Sequence, residues 1–244
     1  MVYVSTHAGK RHSLSEDSVL VGSVVLTETT EALPMPQKGF VCVADGVGGN
    51  CGGDKASQFV LKELSRIKVE TGERLKEFLY RINGSLIVTA VKAGAAPDMA
   101  TTLTGFCIIN GQYKLVHVGN TRAYIKQGKY LKQITSDHTT YNWLLSSGQV
   151  ETAERCNKSE ITNCFGGNNS ALLAKLSVSD CQQFSLALLT SDGIHEYVDL
   201  ESLEEIMSKE GSLADKCEEI VQKALSAGSE DDLSVVILCT DEEE

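Results

Sequence analysis

The chain has 244 residues, of which 42% are hydrophobic, enough to bury one large core. Its 22 basic and 33 acidic side chains give a net charge of −11, which argues against nucleic-acid binding through a broad basic face. No run of about 18 apolar residues predicts a membrane span, and the N-terminal residues lack the basic-then-apolar pattern of a secretory signal. We therefore expect a cytoplasmic protein that binds neither nucleic acid nor a membrane.

Apolar runs rich in β-branched residues recur along the chain and predict strands. They lie at 18–26, 39–45, 103–109, 113–119, 122–127, 184–192 and 233–239. Hairpin-like turns separate several of these runs, which favours antiparallel sheets. Apolar residues at helical spacing predict helices over 54–68, 73–92 and 213–225. Strands, a helix pair and further strands indicate a layered α+β fold, which we expect to form one domain over 1–244.

The segment 139–170 differs from the rest of the chain because it is polar, weakly periodic and contains the only tryptophan, Trp143. We interpret it as a loop-rich excursion on the surface, with an ordinary connection containing a short helix as an equal alternative. The 8 cysteines include no C-x-x-C pair, so neither a disulfide framework nor a zinc site is expected.

Acidic residues stand at the ends of four apolar runs. Glu16–Asp17 and Glu230–Asp232 precede strands, whereas Asp45 and Asp192 follow strands. Because starts and ends of neighbouring antiparallel strands share an edge, the four groups are expected to converge there. Each acid alone is typical of a turn. Four together would repel one another unless a cation neutralised them. Hard divalent ions such as Mg²⁺ or Mn²⁺ suit oxygen ligands, so the pattern favours metal-dependent phosphoryl chemistry.

Seven short blocks take the interpretation further, because their order and spacing resemble the metal-dependent protein phosphatases of type 2C, the PPM family. The blocks are SEDS, VADGVGG, ATTLTG, LVHVGNTRAYI, ITSDHT, LLTSDGIHE and EDDLSVVIL. The resemblance spans about Ser5 to Cys239 and is that of a minimal bacterial catalytic domain. It implies a four-layer α-β-β-α sandwich, with two antiparallel sheets between helices and two Mn²⁺ or Mg²⁺ ions bound at one end.

The resemblance also implies the metal ligands: Glu16, Asp45, Gly46, Asp192 and Asp231. In this assignment Asp45 bridges both ions, and the Gly46 carbonyl binds one of them. Asp192 and Asp231 hold the first metal, while Glu16 reaches the second through water. A ligating backbone carbonyl needs small neighbours.

The implied reaction is hydrolysis of phosphoserine or phosphothreonine monoesters by a metal-bridging hydroxide. Asp17 would orient metal-bound water, and Gly48 and Gly49 would keep the approach to the metals open. No protein nucleophile is required, so Cys51 in the glycine-rich turn need not act. Asp54 is expected to cap the helix that follows.

Two positions near the start of the chain depart from the family pattern. His12 stands where an arginine usually contacts the substrate phosphate, and Arg11 precedes it. We expect His12 to bind phosphate or to act as a general acid, with Arg11 as the alternative phosphate ligand. Val47 stands where some members have a histidine proposed to protonate the leaving group. That proton would then come from metal-bound water, His12 or His195.

Other departures concern the metals. Asn120 stands where an aspartate usually helps to bind a third ion, and Glu196 replaces another supporting aspartate, so a third metal should bind more weakly. Asp232 stands where an asparagine is typical, which adds negative charge near the first metal. None of these changes removes the binuclear ligand set.

The resemblance implies phosphorylated proteins as substrates, and we expect specificity to lie in surface loops or in a partner such as a cognate serine/threonine kinase. The alternative is a catalytically weak or inactive binding or regulatory domain with the same fold, and His12 and Asn120 keep it open. A third, weaker option is a small-molecule phosphatase.

Overall fold

The structure is a computed structural model that describes residues 1–47, 52–69, 71–92 and 99–240. Within these ranges the chain forms fifteen strands, seven α-helices and two 3₁₀ helices. Gly48, Gly49 and Cys51, named above for access to the metals or for reactivity, lie outside the described residues.

The strands alternate with helices along the chain. The strands are β1 (Val2–His7), β2 (Ser18–Gly22), β3 (Val24–Leu26), β4 (Thr29–Leu33), β5 (Gly39–Ala44), β6 (Gly46–Val47), β7 (Ala100–Thr101), β8 (Leu103–Ile109), β9 (Gln112–Val118), β10 (Arg122–Gln127), β11 (Tyr130–Gln133), β12 (Phe165–Gly166), β13 (Ser177–Cys181), β14 (Leu186–Thr190) and β15 (Leu233–Cys239). The helices are α1 (Gly53–Arg66), α2 (Leu75–Lys92), α3 (Thr140–Ser146), α4 (Val150–Ala153), α5 (Asp192–His195), α6 (Leu200–Ser208) and α7 (Leu213–Ser226), with 3₁₀ turns at Gly72–Arg74 and Ser170–Leu173.

Two six-stranded antiparallel sheets form the middle of the molecule. One has the order β11-β10-β14-β15-β1-β4, and the other has the order β13-β9-β8-β5-β2-β3. A small third sheet, β12-β7-β6, lies beside them. The predicted α+β sandwich of two antiparallel sheets flanked by helices is therefore confirmed.

Three apolar layers hold the sandwich together. The central layer lies between the two sheets and contains Val4, Val43 and Phe106. A second layer packs α1 and α2 against the β5–β8 sheet, and a third packs α6 and α7 against the β14–β15 sheet. Burial on both faces explains why the central strands read as continuous apolar runs.

The predicted central strands and the three long helices are all present, with ends shifted by a few residues. The run 18–26 divides into a hairpin of β2 and β3. Sequence patterns missed β1, β4, β11, β13 and α6. Of these strands, β4, β11 and β13 are sheet edges, where polar side chains are common because one side of the strand has no partner.

The segment 139–170 holds α3, α4, β12 and the beginning of the second 3₁₀ turn, joined by loops. It is attached to the body of the protein by a bridge between Thr139 and Ile161 and by the pairing of β12 with β7. Among the described residues, no helix combines the length and the apolar character needed to cross a bilayer.

We expect Phe106→Ala to lower the free energy of unfolding by about 3 to 5 kcal/mol, because it empties the space of a fully buried ring. The Phe106 ring lies between the sheets, 4.9 Å from the ring centroid of Phe184 and 6.2 Å from that of Tyr113. Urea denaturation provides the measurement. Val91→Ala, which truncates a side chain that is 60% exposed on α2, should change the value by less than about 0.5 kcal/mol. Equal losses in the two variants would contradict this account of the core.

Candidate metal centre

The strand register brings the predicted acids to one edge of the sandwich. Ala44 of β5 pairs with Ser18 of β2, so the residues just outside these two positions, Asp45 and Asp17, lie side by side. In the other sheet Thr190 of β14 pairs with Val235 of β15, which places Asp192 near the residues that precede β15. The convergence expected from the sequence is thus built by antiparallel pairing.

Asp45 is held by its backbone at the end of β5. Its N–H donates to Oγ1 of Thr102 at 3.0 Å, and its carbonyl accepts from the N–H of Thr102 at 2.8 Å. The hydroxyl of Thr101 donates to the same carbonyl at 2.9 Å. Because both backbone groups are satisfied by these two fully buried threonines, the Asp45 side chain is free to act as a ligand.

Glu16 and Gly46 are joined through the backbone. The Gly46 N–H donates to the Glu16 carbonyl at 3.1 Å, and the Ser57 hydroxyl donates to the same carbonyl at 2.7 Å. A Cβ on Gly46 would lie 2.4 Å from the carbonyl carbon of Gly53. A Cβ on Gly53 would lie 2.6 Å from the Glu16 carboxylate. The turn and the start of α1 therefore approach so closely that position 46 needs glycine, and a side chain at position 53 would displace the Glu16 carboxylate.

Asp192 is the first residue of α5, where a helix N-terminus favours a negative charge. Its Oδ2 accepts a hydrogen bond from Nδ2 of Asn120 at 2.8 Å. Asn120 is buried, and its Oδ1 has no hydrogen-bond partner in the described structure. The residue that departs from the family pattern thus contacts a predicted ligand of the first metal and keeps one oxygen directed into the site.

Asp17 is the most isolated of the acids. It is 1% exposed, and neither carboxylate oxygen has a hydrogen-bond partner among the described residues. Burial, together with the charges of Asp232 and Asp192, holds its pKa well above the ordinary value. A buried carboxylate without a partner is costly, so this position calls for a cation or an ordered water.

The other acids are coupled in the same way. Burial and the charges of Asp192, Asp17 and Asp231 hold the pKa of Asp45 well above its ordinary value. Burial and the charge of Asp231 raise the pKa of Asp192 to about 6. A hydrogen bond between the carboxyl groups of Asp45 and Asp192 makes them titrate as a pair that shares a proton.

Glu16 is less strongly affected. Burial is the largest cause of its raised pKa, while the positive field of His12 lowers it. Its carboxylate lies at the rim of the site, with 17% of the side chain exposed. Glu16 is therefore the acid at the rim of the cluster, where its carboxylate is partly exposed to solvent.

Arg11 and His12 lie at the mouth of this carboxylate cluster. Nη1 of Arg11 is 3.0 Å from Oδ2 of Asp231, so this arginine contacts a predicted metal ligand. Nδ1 of His12 is 3.0 Å from Oδ2 of Asp232, and Nε2 is 3.9 Å from Oε2 of Glu16. Arg11 and His12, the two candidate phosphate-binding residues, thus lie beside the acids.

His195, the other candidate proton source, is buried in α5 and contributes to a cleft that Asn120 and Glu196 also line. Its Nδ1 is 2.8 Å from the Thr190 hydroxyl. Burial lowers its pKa well below the ordinary value. The neutral ring is thus bound to the end of β14, in the turn that leads into α5.

The residues fit a site for hard divalent cations. Several carboxylates lie together at one edge, with Asp17 buried and Asp45 and Asp192 half-buried. Burial and mutual repulsion raise their pKa values, and neither oxygen of Asp17 has a hydrogen-bond partner in the described structure. Carboxylate and carbonyl oxygens are the ligands that Mg²⁺ and Mn²⁺ prefer. The chemistry of the donor set therefore agrees with the two-metal site that the sequence blocks imply.

A cleft of about 300 Å³ opens beside the cluster. Asn120 and Glu196 line the side nearest Asp192, and the excursion supplies Tyr141 and Lys158 on the other side. The Lys158 ammonium lies 5.1 Å from the centroid of the Tyr141 ring. The polar segment 139–170 thus borders the candidate site.

Sequence reasoning missed several supporting residues. Thr101, Thr102 and Ser57 hold the backbone of the predicted ligands, and Gly53 makes room for the Glu16 carboxylate. The expected capping role of Asp54 was wrong. The helix begins at Gly53 after an N-cap at Gly52. Asp54 lies in the first turn, where the helix dipole stabilises its negative charge.

Known proteins resemble the chain in sequence and in fold. The serine/threonine phosphatase Stp of Listeria monocytogenes is 29% identical over 211 residues, covering 82% of this chain and 83% of that protein. The protein phosphatase PhpP of Streptococcus pneumoniae is 28% identical over 214 residues, covering 84% of this chain and 87% of that protein. The crystal structure of the Mycobacterium tuberculosis serine/threonine phosphatase PstP superposes with a TM-score of 0.79 at 24% identity, over 97% of each chain. No family model matches the chain.

The fold is therefore that of the bacterial protein phosphatases. The fold, the ordered sequence blocks and the relatives agree, so the chain resembles the metal-dependent protein phosphatases of type 2C in sequence and in fold.

We expect Asp45→Asn to stabilise the metal-free protein increasingly as the pH rises. Because the folded pKa of Asp45 is raised, the folded wild type retains a proton that the unfolded chain has released, so its stability falls with rising pH. Asparagine has no such proton. Urea denaturation in EDTA from pH 5 to 8 should show the difference between variant and wild type growing by at least about 1 kcal/mol, one pKa unit. The buried histidines are present in both proteins, so their contribution to the pH dependence of stability cancels in this difference. A difference that is constant with pH would contradict the prediction.

Gly53→Ala should leave the fold intact and weaken Mn²⁺ binding by about 10- to 100-fold, as displaced supporting groups of metal ligands do. The new methyl group would occupy the position of the Glu16 carboxylate, the mobile end of a flexible side chain. Isothermal titration calorimetry gives the affinity. Gly84→Ala provides the matched control, because a Cβ at this position in α2 meets no atom within 4 Å. The idea fails if both variants bind Mn²⁺ as the wild type does.

Proposed function

We propose that the protein is a Mn²⁺- or Mg²⁺-dependent phosphatase that hydrolyses phosphoserine and phosphothreonine in proteins. The observation that carries the proposal is the set of aspartates at one edge of the sandwich whose pKa values are raised by burial and by the charges of neighbouring acids. The relatives from Listeria monocytogenes and Streptococcus pneumoniae are named as a serine/threonine phosphatase and a protein phosphatase, which supports the substrate class.

Five positions would hold two cations: Glu16, Asp45, Gly46, Asp192 and Asp231. Two bound ions would lower the pKa of a water to make it nucleophilic and would neutralise charge on the phosphoryl group. A third ion would bind weakly, because Asn120 offers it a neutral amide where a carboxylate would attract it.

The protein's own groups would then position the reactants. The unpartnered oxygens of Asp17 are acceptors suited to hold a water and fix its orientation. Arg11 would supply N–H donors to the phosphate oxygens of the substrate at the mouth of the site. Nδ1–H of His12 is directed to Asp232, so this ring would donate to phosphate through Nε2–H as the imidazolium. The neighbouring cleft, with Lys158 on its wall, would receive the polypeptide around the phosphorylated residue.

The organisation of the protein follows from this proposal. Residues 1–244 would act as one cytoplasmic catalytic domain in signalling, with segment 139–170 as the excursion that shapes the cleft. Its partners would be phosphorylated proteins, among them a cognate serine/threonine kinase. The complete set of metal-binding positions weighs against a non-catalytic binding or regulatory domain, which would have no use for it.

We expect the protein to hydrolyse p-nitrophenyl phosphate and a phosphothreonine peptide in the presence of Mn²⁺, and EDTA to abolish the activity. Asp45→Asn removes the ligand placed between both ions and should lower kcat by on the order of a hundredfold or more. Phosphate release measured at saturating Mn²⁺ tests this, with circular dichroism to verify the fold.

Asp180→Asn is the matched control, because it removes the same charge from an edge strand where the side chain is 83% exposed. Its activity should equal that of the wild type. A wild-type protein that binds Mn²⁺ without turning over either substrate would refute the proposed enzyme.

A further inference from the structure

Asp232 accepts three hydrogen bonds from the loop that lies over the carboxylate cluster. Its Oδ1 accepts from the Gly9 N–H at 2.7 Å, and its Oδ2 accepts from the Glu16 N–H at 2.7 Å. Nδ1 of His12 is 3.0 Å from the same Oδ2. Because Asp232 is only 4% exposed, these protein donors take the place of water around its carboxylate.

Three donors to two oxygens require a carboxylate at this position. An asparagine has one acceptor oxygen, and its NH₂ group only donates. In either orientation of the amide, its NH₂ group would face at least one of the N–H groups of Gly9, His12 or Glu16. An aspartate in place of the usual asparagine is therefore matched to its surroundings in this chain.

The contact to Asp232 determines how the His12 ring is presented. A carboxylate oxygen accepts, so Nδ1 carries the hydrogen in this contact. The opposite edge of the ring, with Nε2, then faces the mouth of the cluster, 3.9 Å from Oε2 of Glu16. One third of the His12 side chain is exposed, so a substrate can reach this edge.

We propose that Asp232 is a positioning residue that directs the Nε2 edge of His12 towards the substrate phosphate. Arg11 is less well placed for this contact, because its guanidinium is bound to Asp231 and 54% of its side chain is exposed. The inference rests on the proposed function for the identity of the substrate. The orientation of the ring, however, can be tested without it.

The first test is nuclear magnetic resonance of the metal-free protein with ¹⁵N-labelled histidine. Long-range ¹H–¹⁵N spectra distinguish the two tautomers of each neutral ring, and His12→Gln assigns the His12 signals. We expect the Nδ1–H form of His12 to predominate in the wild type and its ratio to the Nε2–H form to fall at least threefold in Asp232→Asn. A predominant Nε2–H form in the wild type would overturn the proposal, even if the variant did not fold.

The second test is a double-mutant cycle on the hydrolysis of p-nitrophenyl phosphate at saturating Mn²⁺. Asp232→Asn should raise KM about tenfold in the wild type, as expected for a lost hydrogen bond to a charged group. It should raise KM less than threefold in the His12→Gln background. The same factor in both backgrounds would show that Asp232 does not act through His12 and would overturn the proposal.

Glu230→Gln is the matched control, because it removes a neighbouring exposed charge and leaves the Asp232 carboxylate that contacts His12 in place. Its KM should equal that of the wild type, and a tenfold rise would mean that local charge, not positioning, sets KM. If the wild-type protein has no Mn²⁺-dependent activity, the proposed function fails. The tautomer measurement then still decides whether Asp232 orients His12.

Discussion

The repulsion among the buried carboxylates is the constraint on which the rest of the site depends. Asp17 is buried and Asp45 and Asp192 are half-buried, and burial together with the negative charges of neighbouring acids raises the cost of ionising each of them. Without a cation the cluster relaxes by retaining protons, one of them between Asp45 and Asp192. The repulsion among acids in such a site is unfavourable, and a bound divalent ion would neutralise it. Affinity for a divalent ion would thus have the same cause as the electrostatic cost of the empty site.

The sandwich tolerates this repulsion because the acids are held by backbone pairing and not by their own side chains. Asp45 ends one sheet's central strand, and Asp192 follows a central strand of the other. The hydroxyls of Thr101 and Ser57 satisfy the carbonyls beside the acids. The carboxylate oxygens are therefore left for ligands. Rigid strands on both sides then prevent the acids from moving apart, which is how preorganisation is obtained from packing.

The features that could be predicted from the sequence are those whose pattern lies within one continuous segment of the chain. Central strands such as β8 and β15 are buried on both faces, so their apolar runs are visible in the chain itself. The edge strands β4 and β13 are polar and look like loops. The acids were found because their order matches a family pattern. Gly53 was not found, since its requirement arises from the approach of Glu16, a residue distant in sequence, and only the folded structure shows that approach.

The loop before β2 shows how departures from a family pattern can depend on one another. Gly9 lies flat against the chain before β15, where a Cβ would come within 2.2 Å of the Asp231 carbonyl. This close approach places the Gly9 N–H, the Glu16 N–H and the His12 ring around one carboxylate. An arginine at position 12 would bring a longer side chain and more donors to a carboxylate that already accepts from the Gly9 and Glu16 N–H groups. The histidine is short enough to be fixed by Asp232 while its other edge still faces the site. The two departures at 12 and 232 are therefore best understood as one local solution to holding an imidazole ring beside Glu16 and Asp231.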